Sequence, residues 1–128
     1  MQFINAAAAK AMKLPFSQAV RVGDVLYLSG QLGNLPGTLR LAAGGLEAET
    51  RQTMENIAAT LKENGLSFRD VFKVTVMLAD MSQWSDFNRV YVTYFEADRL
   101  PARSAFGVNG LALGAQVELE CMAFMGER

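Results

Sequence analysis

Two ionisable residues stand at strand positions expected to point inward. Arg103 lies within the otherwise apolar stretch Leu100-Pro101-Ala102-Arg103-Ser104-Ala105-Phe106, and Glu118 within Val117-Glu118-Leu119-Glu120-Cys121. A guanidinium offers a planar fork that takes a carboxylate in bidentate fashion. A glutamate whose pKa is raised by burial can shuttle a proton or steer a water. The same pair, or Arg103 with Glu120, could instead form a structural ion pair, because buried charges are generally matched. Residue types alone leave both readings open.

Composition removes most other chemistry. The 128 residues contain no histidine. That excludes the usual general base near neutral pH, every His-containing metal site, and Ser-His or Cys-His nucleophile pairs. The single cysteine, Cys121, has no internal disulfide partner, and its strand-like surroundings mark a small core residue. Phosphate-binding loops, Cys-x-x-Cys and Gly-x-Ser-x-Gly are all missing. A formal charge of −1 gives no basic excess, so nucleic acid is not an expected partner. No apolar run approaches the ~18 residues of a membrane span. The Ala-rich opening Met1–Lys10 lacks a basic region followed by a hydrophobic run, and the expectation is a cytoplasmic protein. With 51% hydrophobic and 20% charged residues, residues 1–128 read as one globular domain.

The elements that must position these residues follow from periodicity. Val20–Gly30 reads as two strands joined at Gly23-Asp24. Residues 33–45 are punctuated by Gly33, Pro36, Gly37, Gly44 and Gly45 as a loop. A helix is predicted over Leu46–Asn64, with Met54, Ile57, Ala58 and Leu61 at i, i+3, i+4 and i+7. Val71–Ala79 reads as a strand. A second helix is predicted from an N-cap at Ser82 or Ser85 to Phe95, striped by Phe87, Val90, Tyr91, Tyr94 and Phe95, with Trp84 stapling its start. Two more strands are expected near Ala102–Val108 and Gln116–Met125. Five or six strands with two helices on one sheet face make an α+β layer.

Alternation then separates the sheet's faces. In Val71–Ala79 the apolar set Phe72, Val74, Val76 and Leu78 is expected to meet the helices. In the last strand Val117, Leu119, Cys121 and Ala123 alternate with Glu118, Glu120, Met122 and Phe124. This second face mixes charge with Met and Phe, and no helix remains to cover it. A face of that kind marks an interface, which a ring of identical subunits would cover.

Five segments fall in order along the chain: Ser29-Gly30-Gln31, Arg51-Gln52-Thr53-Met54-Glu55-Asn56, Phe72-Lys73-Val74-Thr75-Val76, Pro101-Ala102-Arg103-Ser104 and Val117-Glu118-Leu119-Glu120. Together they resemble the Rid/YjgF (L-PSP) family over nearly its whole length. Pro-Ala-Arg-Ser followed at fifteen residues by a Glu-x-Glu strand is the most diagnostic pair. The resemblance implies a chorismate-mutase-like α+β fold, a homotrimer whose sheets form a central barrel, and clefts between neighbouring subunits. It implies hydrolysis of 2-imino acids, formed from enamines such as 2-aminoacrylate, to 2-keto acids and ammonia, with no metal or other cofactor. Carried onto this chain, Arg103 should clamp the substrate carboxylate and Glu118 should activate the attacking water. Ser29 and the Gly30 backbone should line the pocket.

The chain departs from the family pattern at three pocket positions. Phe16 stands where many members carry Tyr, Tyr91 is read at the helix position often held by Asn, and Ala105 replaces a frequent Cys. The Ala105 backbone carbonyl can still touch the water. Phe16 and Tyr91 make the expected pocket bulkier and more aromatic, unless they are core packing. A trimer that binds a keto acid without turnover is the alternative function. Ribonuclease activity, suggested by the L-PSP name, is disfavoured by the charge, the missing histidine and the lack of a basic aromatic stripe.

Overall fold

The fold begins with a strand that sequence patterning did not reveal. In the computed structural model, which describes residues 1–127, the opening segment forms β1 (Gln2–Ile4) and a single-turn α1 (Ala7–Ala11). β1 pairs antiparallel with β2 (Ala19–Val22), so the Ala-rich start is part of the sheet. β2 returns as β3 (Val25–Gln31) through a tight turn in which Gly23 has a φ of +59°, a conformation glycine adopts without steric cost. The next helix, α2 (Gly45–Glu63), starts one residue before its predicted position and is capped at its C-terminus by Asn64. After β4 (Val71–Leu78), α3 (Trp84–Tyr91), β5 (Ala102–Gly107) and β6 (Val117–Phe124), the sheet order is β1-β2-β3-β6-β4-β5. Only the β4–β5 pair is parallel, and β5 is an edge strand. This is the mixed α+β layer expected, with six strands.

One hydrophobic cluster joins α2 and α3 to a single sheet face. Met54, Ile57 and Leu61 of α2 and Phe87 and Tyr91 of α3 bury against Leu26, Leu28, Val74, Val76, Leu78, Val117, Leu119 and Cys121. Full burial of one such side chain contributes about 1.5–3 kcal/mol, so this layer dominates the fold's stability. Cys121 is buried, and burial pushes its thiol up to about 12, which leaves it protonated and inert. α2 also fixes both ends of the site region. Asn56 Nδ2 donates to the carbonyls of Leu32 (3.0 Å) and Asn34 (2.9 Å), and the Gln116 N–H donates to Glu49 Oε1 (2.9 Å). The loop leaving β3 and the residue entering β6 are thereby tied to one helix.

Four expectations need correction. Phe72 does not face the helices: a bulge between Val71 and Lys73 inserts one residue, so Val71 is buried and Phe72 is exposed. Neither Ser82 nor Ser85 caps the second helix. The Asp80 carboxylate accepts the Ser82 N–H (2.9 Å) and starts a 3-10 turn, Met81–Gln83, that runs directly into α3. That helix stops at Tyr91 rather than Phe95. The Thr93 hydroxyl donates to the Val90 carbonyl (2.6 Å) and the chain tightens into a second 3-10 turn, Val92–Tyr94. Finally, Trp84 is the first residue of α3 and 44% exposed, not a staple preceding it.

Candidate active site

Glu118 and Arg103 face opposite sides of the sheet. Glu118 pairs with Met77 while its neighbour Leu119 pairs with Val76 in the core, so Glu118 points to the side without helices. Arg103 pairs with the buried Val74, and Ala105 with the buried Val76, so both point to the helix side. Neither ionisable group is matched by the other. Among the described residues the ion pairs are Arg51–Glu47, Arg69–Glu96 and Arg89–Asp86, all at the surface. A structural salt bridge between Arg103 and Glu118 or Glu120, one of the two readings open from the sequence, is therefore not made within the chain.

The Glu118 half is built on β3. Between Leu28 and Gln31 the register against β6 shifts, and Ser29 and Gly30 occupy that irregularity. A methyl group at Gly30 would overlap Glu118 Oε2 and lie 3.0 Å from its carboxyl carbon, so the absent side chain is what admits the carboxylate. Ser29 is held from behind: its N–H donates to the Gln18 carbonyl (2.9 Å) and its Oγ to the Ser17 carbonyl (2.6 Å). That bond ties the segment carrying Phe16 to the same strand. Asn5 secures it further, donating to Ser17 Oγ (3.2 Å) and accepting from the Gln18 N–H (3.0 Å). Phe16 itself is 53% exposed, which rules out core packing for it in the single chain. Partial burial, with the like charge of Glu120 adding to it, raises the Glu118 carboxyl above its ordinary value.

The Arg103 half is built on α3. Its guanidinium carbon lies 4.9 Å from the Tyr91 ring centroid, 5.8 Å from Phe87 and 5.9 Å from Trp84. These are cation–π distances. No described residue offers the guanidinium a carboxylate or a hydrogen-bond acceptor. Tyr91, expected to line the pocket, is 3% exposed; its ring packs against Phe87 (5.4 Å) and Phe95 (4.9 Å) and supports Arg103 from the core. Burial pushes its hydroxyl up to about 12 and leaves it without a hydrogen-bond partner. Sequence reading passed over Asn88, one turn earlier on the same helix, whose buried Oδ1 also lacks a partner. The signal available was the residue type: an amide set within an aromatic stripe.

The described residues place no three His, Cys, Asp or Glu side chains together as a metal-holding group. A surface cleft of about 400 Å³ lies elsewhere, between Phe68, Tyr94, Phe95 and the Arg69–Glu96 ion pair, and none of Ser29, Gly30, Arg103 and Glu118 lines it. No helix of the described residues is long and apolar enough to cross a membrane. In chemical terms the chain carries two separated half-sites: a cationic fork backed by aromatic rings, and a carboxylate of raised pKa seated against bare backbone.

Residues 6–125 match the family model described as Endoribonuclease L-PSP. A Mus musculus protein named 2-iminobutanoate/2-iminopropanoate deaminase is 42% identical over 123 residues, covering 96% of this chain and 90% of that protein. The crystal structure of RidA from an Antarctic Psychrobacter superposes with a TM-score of 0.87 at 39% identity, covering 97% of this chain and 99% of that one. The YjgF gene product of E. coli superposes with a TM-score of 0.87 at 29% identity, covering 98% and 100%. The family match over residues 6–125, together with a relative 42% identical over 96% of the chain, makes the chain a member of the Rid/YjgF/L-PSP family.

Proposed function

We propose that the protein is a hydrolytic 2-imino acid deaminase that works as a homotrimer, each active site taking Arg103 from one subunit and Glu118 from the next. The observation that carries this is the opposition of the two groups across the sheet, each without an ionic partner in its own chain. Two such groups can serve one small substrate only at a seam between chains. The uncovered face supports the assembly: Tyr27 and Phe124 are exposed there, with Met77 and Met122 half-buried beside them. Three such faces closed into a barrel of the chorismate-mutase-like type would remove that surface from water. The name of the 42% identical mouse relative supports the substrate class.

The chemistry asks little of the protein. Arg103 holds the imino acid carboxylate in a bidentate pair and so fixes the C=N carbon near Glu118. Glu118 accepts a proton from a water whose oxygen adds to that carbon and passes it to the imine nitrogen; the product is a tetrahedral aminohydrin. Glu118 then takes the hydroxyl proton and delivers it to the nitrogen, the C=O forms as the C–N bond breaks, ammonia leaves and the 2-keto acid remains. Ser29 and the Gly30 backbone border the reacting carbon, and the Ala105 carbonyl holds the water. Burial of the carboxylate helps, because a base of raised pKa takes a proton more readily. Phe16, exposed in the single chain, becomes a wall of the seam.

The test is ammonia and keto acid release from imino acids generated in place by an amino-acid oxidase. Acceleration above the spontaneous rate is expected for 2-iminopropanoate and 2-iminobutanoate. A spontaneous rate unchanged by the intact oligomer would instead leave a trimer that only binds small anions.

A further inference from the structure

Trp84, Phe87 and Tyr91 recur at i, i+3 and i+7 along α3 and share one helical face. All three rings lie within 6 Å of the Arg103 guanidinium carbon. Their positions differ in one respect that matters. Phe87 and Tyr91 are buried in the core, whereas Trp84, the chain's only tryptophan, is 44% exposed. It stands at the start of α3, where the stripe leaves the core. Aromatic faces attract a guanidinium without accepting its in-plane N–H groups, so the fork stays available to a ligand.

We infer that Trp84 is the positioning and specificity residue of this site: its indole holds the Arg103 fork and forms the apolar wall against which the substrate's side chain lies, so that the enzyme selects 2-imino acids with apolar rather than charged side chains. The inference rests on the deaminase reading above. A charged side chain set against indole loses hydration and gains no partner, while an apolar one removes its own surface and that of the ring from water. The ring also excludes water from one side of the guanidinium, which strengthens its pairing with a carboxylate.

Three proteins decide the matter: the wild type, Trp84→Phe and Trp84→Ala, assayed with 2-iminobutanoate and with the dicarboxylic 2-iminosuccinate. Because Trp84 is half-exposed, thermal melts of the variants should stay close to the wild type. For 2-iminobutanoate, Trp84→Ala is expected to raise KM about tenfold with kcat changed less than about threefold, and Trp84→Phe to restore most of the loss. For 2-iminosuccinate the rise in KM should be smaller, because only the support of the Arg103 fork is lost there and not the apolar wall. An unchanged KM for 2-iminobutanoate in Trp84→Ala would overturn the proposal. Indole emission supplies a readout independent of turnover. Titration with 2-oxobutanoate should change wild-type emission saturably and leave Arg103→Ala unmoved. Should no imino acid be turned over, the deaminase reading fails, yet the emission titration still decides the placement of Trp84. A saturable, Arg103-dependent change supports it, and an emission that never moves overturns it.

Discussion

The two faces of one sheet each carry one half of the proposed site. The helix-covered face is filled by aliphatic and aromatic side chains in one cluster, and at its edge, on β5, that cluster supports a single cation against three rings. The open face has no helix and mixes Lys73, Thr75, Met77, Glu118, Glu120, Met122 and Phe124, with the Glu118 carboxylate set against Gly30. The first face sets the Arg103 guanidinium against the packed rings of Phe87 and Tyr91. The second leaves Glu118 partly desolvated and close to a like charge, which raises its pKa. On the proposed reading, Arg103 and Glu118 lie on opposite sides of one sheet, and a second chain is what brings a clamp and a proton carrier together.

Breaking the clamp is expected to have the largest effect. Arg103→Ala should lower kcat/KM for 2-iminobutanoate about a hundredfold or more, because a desolvated charge pair with the substrate carboxylate is lost. Arg103→Lys should recover little of it, since an ammonium cannot reproduce the planar fork. Steady-state kinetics check both, and a melting temperature near the wild type would show that the aromatic support survives.

On the open face the corresponding change is smaller and leaves Glu118 chemically intact. Gly30→Ala should push the carboxylate aside and reduce kcat by roughly ten- to a hundredfold, the scale expected of an ångström's misplacement. Gly30 does not occupy the positive-φ region, so the backbone accepts alanine and the fold should persist. An alanine variant with full activity would mean that the close contact has no bearing on the chemistry.

The pH profile sharpens the contrast further. Glu118 must be ionised to accept a proton, and burial first, then Glu120, raises its pKa. Activity should therefore fall on the acid side at a pH above the ordinary glutamate range. Glu120→Gln removes only the second cause, so the acid limb should move to lower pH without reaching that of a solvent-exposed glutamate. A limb that does not move would separate Glu120 from the titration of Glu118.

Much of this arrangement is legible in the residues. Alternation in Val117–Phe124 sorts the two faces correctly, and Met54, Ile57 and Leu61 mark the buried side of α2. The missed features are those where a local hydrogen bond or a bulge overrides periodicity. The bulge at Val71–Lys73 exposes Phe72 and buries Val71, whereas Val74, Val76 and Leu78 keep their predicted facing. The Asp80 cap and the Thr93 side-chain bond shorten α3 at both ends. Within the site, residue type and motif single out Arg103 and Glu118, but their facing depends on pairing register, which a lone strand does not encode. The role of Trp84 is hidden for the same reason: only the packing of α3 against β5 brings its ring to the guanidinium.

Subunit mixing tests whether the site forms at a seam between chains. Arg103→Ala and Glu118→Gln should each be inactive alone. Co-refolded in equal amounts, they should regain about a quarter of wild-type activity, because each cleft then draws its arginine and its glutamate independently from the two kinds of chain. A mixture that assembles as the wild type does and stays as inactive as its parts would contradict the account.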